Sequence, residues 1–295
     1  MSCVSVPDNI AFDIRHDCEL KSKREPRAMS SLRPLQLSNA LSTVLMFVIN
    51  MLASVGLINN TTPGALSDRL PNLFVPSGLT FSIWGVIYVL LFLFVAYQMR
   101  GSASRDVGDS AYLGKIGWLF VASNAFNIAW IFAWHYELVP LSLVFMLLLF
   151  VSLLAIYLRL QIGDPRKIVS LKKKVFYQVP FSVYLGWITV ATIANVTAVL
   201  VSIGIEPYTG LAVVWTVVVI IVATLIAALV LWTRRDIAYS LVIVWALVGI
   251  VVKRLDPNYF VELTVAESAG TGAAVILIVL AALMFLRWHP SQPRK

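Results

Sequence analysis

FYQVPFSVYLGWITVATIANVTAVLVSI, residues 176–203, contains no Asp, Glu, Lys or Arg. A bilayer core about 30 Å thick is crossed by about 20 apolar residues of helix. A charge-free run of this length therefore reads as a membrane span, with enough excess to need tilt or an extension into water. Seven more charge-free stretches surround it, at 39–58, 78–98, 116–134, 138–158, 208–232, 237–252 and 268–286. The shortest is 237–252. The expected fold class is an all-α integral membrane protein, a bundle of about eight transmembrane helices.

The bulk composition agrees. Of 295 residues, 59% are hydrophobic and 13% charged, against about 45–50% and about 25% in soluble domains. That excludes a soluble enzyme, a disordered chain and a disulfide scaffold. Cys3 and Cys18 both precede the first span, and neither they nor nearby His16 show metal-ligand spacing. The net charge of +8 reflects loops at the cytoplasmic face and carries no nucleic-acid signature, because basic residues collect on that side of a membrane protein. With the N-terminus cytoplasmic and eight spans, 20 of the 23 Lys and Arg residues fall on the cytoplasmic side, leaving Arg69, Lys253 and Arg254 outside. An odd span count would reverse the bias partway along the chain. Both termini are therefore expected in the cytoplasm of a multi-pass protein of the cell or inner membrane.

Residues 1–38 are polar, of mixed charge and without the apolar core of a signal peptide, so a disordered cytoplasmic tail is expected there. Met29, at the head of MSSLRPLQLSNAL, is an alternative start. Residues 289–295 read as a second cytoplasmic tail. The loop at 59–77 holds Pro63, Pro71 and Pro76, which favour turns over helix. Its Asn60-Thr61-Thr62 fits a glycosylation sequon.

With no charge inside any span, there is no proton relay and no Schiff-base lysine. His135, beside Tyr136 and Glu137, reads as a solvated interfacial turn rather than a metal site. Tryptophan and asparagine remain. Trp118, Trp134, Trp232 and Trp288 lie near span ends, where aromatic belts form. Trp84, Trp130, Trp187, Trp215 and Trp245 lie deeper, where an indole N–H needs a partner or a cavity. Asn50, Asn124, Asn127 and Asn195 are deep amides that can join helices. At about 100° per residue, Tyr184, Trp187, Ala191 and Asn195 share one face of the fifth span, and Asn124, Asn127, Trp130 and Trp134 one side of the third. Trp84 and Tyr88 stand one turn apart on the second. Such stripes either pack a core or line an amphipathic pocket, and periodicity alone favours packing.

The same stripes carry a resemblance. FSIWGVIY (81–88), FNIAWIFAW (126–134) and VYLGWITVATIAN (183–195) resemble, in order, the tryptophan–tyrosine, asparagine–tryptophan and tyrosine–tryptophan–alanine–asparagine patterns of the translocator-protein family, the tryptophan-rich sensory proteins. The resemblance covers about residues 40–203. It implies a five-helix unit at 39–203 with a pocket near the first loop, and binding of a tetrapyrrole such as a porphyrin or haem, or of another flat hydrophobic molecule. No covalently bound cofactor is implied, and such proteins are often homodimers. Trp84, Tyr88, Asn127, Trp130, Tyr184, Trp187 and Asn195 fall on the implied ligand site. Val183 stands where the family has proline, which implies a straighter start to that helix, and the family's tryptophan–tyrosine after the first helix has no counterpart in GLINNTTPGAL. Residues 204–288 supply three further spans, as in longer relatives.

A membrane receptor or carrier is thus the expected function. The alternatives are a secondary transporter for a small metabolite and a membrane enzyme acting on a bound tetrapyrrole or lipid. Small residues in the last three spans, among them Ala223, Ala227, Gly270 and Gly272, suit close helix contact. These spans are expected to cover the five-helix unit, so that a chain ending near 203 keeps the site. The topology is open to cysteine labelling in intact cells once Cys3 and Cys18 are replaced. An impermeant reagent is expected to reach cysteines at Ser67 and Glu206 and to spare Ser170; labelling at 170 would reject the eight-span arrangement.

Overall fold

A computed structural model describes residues 32–104 and 107–288. Cys3, His16, Cys18, the Met29 start and the 289–295 tail lie outside the described residues. The chain is an all-α multi-pass membrane protein, with no strand among the described residues. Among the described residues seven helices are long and apolar enough to cross a membrane, or eight if one bent pair counts as a single span. In chain order these are α1 (Leu32–Ser54), the short α2 (Pro63–Arg69), a 3-10 turn (Gly78–Ser82) leading into α3 (Ile83–Ser104), α4 (Val107–Ile116) and α5 (Leu119–His135). There follow α6 (Val139–Leu160), the three-residue α7 (Leu171–Lys173) joined by a π turn to α8 (Val179–Ser202), then α9 (Gly210–Arg234), α10 (Ile237–Leu255) and α11 (Leu263–Trp288).

Three departures from the sequence reading have local causes. Residues 32–38 are helical and belong to α1 rather than to a tail. Pro34 falls in the first turn, where no N–H is needed, Leu35 is buried, and Gln36 donates to the Gln98 carbonyl at 2.8 Å. The span expected at 116–134 is broken: α4 and α5 meet at 44°. Gly117 takes φ +53 and bonds back to the Leu113 carbonyl at 2.9 Å, a left-handed helix stop that glycine adopts without penalty. The loop after α1 contains helix, because Pro63 sits at the first helical position, where its fixed φ suits the turn. Thr62 caps that helix by accepting from the Ala65 amide at 3.2 Å. The start of α8 is irregular: Pro180 withholds a donor just after the π turn at Lys174–Gln178.

The C-terminal helices pack on the rest through α10, which lies against α8, α9 and α11. Gly186 on α8 makes the close approach possible, since a Cβ there would stand 3.1 Å from the Tyr239 carbonyl and 3.1 Å from Val242 Cβ. At one end of this contact Asp236 caps α10, accepting from the Tyr239 amide at 3.2 Å and from Ser182 Oγ of α8. At the other end α10 meets the segment before α3. The Ser77 amide donates to the Gly249 carbonyl at 3.0 Å. A Cβ on Gly249 would collide with Thr80 Oγ1 and come within 2.9 Å of Pro76 Cβ. Gly249→Ala is therefore expected to lower stability by about 1–3 kcal/mol, read as thermal unfolding in detergent; an unchanged midpoint would show that the strap before α3 does not dock on α10.

Candidate functional site

A cavity of about 530 Å³ lies among α1, α3, α5 and α8, under α2 and the strap that follows it. Five of the seven residues singled out from sequence line it: Trp84, Tyr88, Trp130, Trp187 and Asn195. The rings form a connected wall. Trp84 stacks on Tyr88 with centroids 5.7 Å apart and meets Trp187 edge-on at 6.3 Å, while Phe81 meets Trp187 edge-on at 5.7 Å. Across the cavity Trp130 stacks on Trp134 at 6.1 Å.

The other two residues, Asn127 and Tyr184, are not among the lining residues and stand buried in the packing. The Asn127 carboxamide accepts from Asn50 Nδ2 at 2.7 Å and donates to the Tyr184 hydroxyl at 3.1 Å. It thereby joins α1, α5 and α8. Tyr184 in turn meets the Trp84 ring edge-on at 5.9 Å. Asn195 lines the cavity, but its amide is engaged within the protein. Its Oδ1 accepts from the Trp130 indole at 3.1 Å and its Nδ2 donates to Ser142 Oγ at 3.0 Å. All three polar groups therefore aim aromatic rings. Trp187 differs: its indole N–H is buried and has no hydrogen-bond partner among the described residues.

Trp134 is both a span-end tryptophan and a member of the α5 stripe by spacing, and it lines the cavity and donates to the Pro63 carbonyl of α2 at 3.3 Å. Its spacing of four residues from Trp130 was the available signal. His135 is fully buried rather than solvated. Its Nδ1 lies 2.8 Å from the Ile131 carbonyl, and its own carbonyl accepts from Asn59 at 2.7 Å, so the turn is tied down from both sides. Among the described residues no group of three His, Cys, Asp or Glu could hold a metal. Of the other deep tryptophans, Trp245 donates to the Thr80 carbonyl at 2.9 Å, whereas Trp215 is 61% exposed on the outside of α9. Ser67 is a buried residue of α2, so the outer arm of the labelling test rests on the exposed Glu206.

Among the described residues no charged side chain lines the cavity. Aromatic faces, small α8 side chains such as Ala191 and Ala194, and a few hydroxyls and amides make the wall, which suits retention of an apolar molecule by stacking and shape. The support behind the wall is testable on its own. Asn127→Leu strands donor and acceptor groups on Asn50 and Tyr184 and is expected to cost about 1–3 kcal/mol, read as a lower unfolding temperature of the purified protein. Wild-type stability in that variant would remove the three-helix junction.

Comparison with known proteins places the chain. Neither curated proteins nor solved structures give a match. A family model described as TSPO-like protein matches residues 36–284. The match runs well beyond the 40–203 of the sequence resemblance and continues through α9 and α10 into α11, so the three C-terminal helices are part of the family pattern. The chain belongs to the translocator-protein family as a TSPO-like protein.

Proposed function

We propose that this protein is a membrane receptor or carrier for a planar hydrophobic small molecule, with a tetrapyrrole such as a porphyrin or haem, held without a covalent bond, as the first candidate. The observation that carries the reading is the uncharged aromatic cavity of about 530 Å³, within the range of about 300–1,000 Å³ usual for small-molecule sites. Indole faces stack on flat π-systems, and Trp84, Trp130 and Trp187 offer three of them around one space. Membership of the translocator-protein family supports the same class of ligand. The basic-residue bias supports an orientation with both termini in the cytoplasm and the cavity's cover, the α1–α3 loop, on the outer side.

Trp187 adds a preference within that class. Its indole N–H is buried without a partner among the described residues; with the ring turned toward the cavity it would meet a carbonyl, carboxylate or ring nitrogen at a ligand's edge and recover about 1–3 kcal/mol. Binding is read by quenching of tryptophan fluorescence on titration with protoporphyrin. Wild type is expected to quench saturably. Trp187→Phe is expected to weaken binding about 5- to 30-fold, the worth of one buried hydrogen bond, and to lower stability as well, because it removes ring volume from a side chain only 2% exposed. Asn195→Leu is expected to weaken binding and also destabilise, since it deprives Trp130 and Ser142 of theirs. Quenching without saturation in folded wild type would remove the cavity as a porphyrin site.

A further inference from the structure

The helices that line the cavity do not hold its cover alone. Residues of α2 and of the strap at 75–82 form one wall, and this cover is fastened on two sides. On the α5–α6 side Trp134 bonds to Pro63, and Arg69 pairs with Glu137 at 2.9 Å with both side chains more than half exposed. An exposed pair of this kind contributes little. On the opposite side α10 supplies three polar fastenings. Trp245 donates to the Thr80 carbonyl and the Gly249 carbonyl takes the Ser77 amide. Lys253 Nζ lies 3.0 Å from Asp68 Oδ1, with the Lys253 side chain only 8% exposed and Asp68 54%.

The asymmetry of that pair matters. Lys253 also sits 4.9 Å from the Tyr259 ring, so its ammonium is held between an aromatic face and one carboxylate, largely out of water. If Asp68 swings away, a buried cation loses its anion, which costs far more than parting two solvated charges. Asp68 itself is the residue after Ser67, which lines the cavity. The cover cannot lift at α2 without breaking this contact.

We propose that α10 latches the cavity: Lys253 holds Asp68 and thereby α2 over the bound molecule, so that the C-terminal helices, none of whose residues line the cavity, set the rate of ligand exchange. The proposal rests on the reading of the cavity as a small-molecule site. It also departs from the expectation that a chain ending near 203 would keep a working site, because such a chain has no latch.

The experiment uses the full chain with Cys3 and Cys18 replaced and a cysteine introduced at Ala194, on the cavity wall. The rate of its modification by a soluble maleimide reports opening of the cover whether or not any ligand binds. Lys253→Met and Asp68→Asn are each expected to speed labelling about 5- to 10-fold, in line with loss of one directional ion pair on a scale where 1.4 kcal/mol is tenfold. Lys253→Arg, which keeps the charge, should label at close to the wild-type rate. Protoporphyrin release, followed by recovery of fluorescence, should quicken by the same factor in the first two variants. Should Lys253→Met fail to fold, Asp68→Asn, altered at a half-exposed position, carries the comparison. Equal labelling rates in wild type and folded Asp68→Asn would overturn the latch even if porphyrin binds. Faster labelling in a protein whose quenching never saturates would uphold the latch and reject the porphyrin reading instead.

Discussion

Asn127 is the point on which the bundle turns. Inside a bilayer, lipid tails are as apolar as leucine, so burial alone gives two helices little reason to choose each other. A carboxamide that accepts from α1 and donates to α8 supplies the missing direction, at about 0.6–2 kcal/mol for each such bond. It also sets the rotation of α5, and with it the faces on which Trp130 and Trp134 stand. Because Tyr184 meets Trp84 edge-on, the same junction reaches α3 as well. The cavity is thus a by-product of polar groups that meet behind it: amides that tie helices together leave the tryptophans to face the open side.

The two ends of the bundle are built differently. At the α1–α3 loop end, a short helix and a strap close over the aromatic wall, fastened by polar contacts to the α5–α6 region and to α10 and by Leu66 of α2 packed with Trp134, Val139 and Ala198. At the other end, Asp236 caps α10 and takes the Ser182 hydroxyl, and Gln36 and Asn39 of α1 bind Gln98 of α3. Deep packing between α8 and α10, made close by Gly186, connects the two ends. Helix α10 therefore belongs to the core of the molecule rather than to an added layer, which agrees with a family match that runs from residue 36 to residue 284.

Most of the spans were legible because an uncharged run of 20 residues has one stable state in lipid. Their interruptions were less so. Gly117 breaks the third span and Pro63 starts a helix where prolines suggested turns, since both residues permit two readings and neighbouring contacts choose between them. Helical periodicity brought Trp84, Tyr88, Trp130, Trp187 and Asn195 to one cavity, but it places a residue on a face without naming what it meets. That is why Asn127 and Tyr184, on the same stripes, stand behind the wall, and why Asn195 serves Trp130 rather than open space. Lys253 and Asp68 lie 185 residues apart in the chain. Nothing in either neighbourhood signals the other, and only the packing of α10 beside the strap brings them together.

The most direct test is to fill the cavity. Ala191 lies on its α8 wall, and Ala191→Phe places a ring in the open space. The variant is expected to insert, fold and unfold at close to the wild-type temperature while losing saturable porphyrin binding altogether. A folded Ala191→Phe protein that binds porphyrin with wild-type affinity would contradict the central claim, for the ligand would then lie somewhere other than this aromatic cavity.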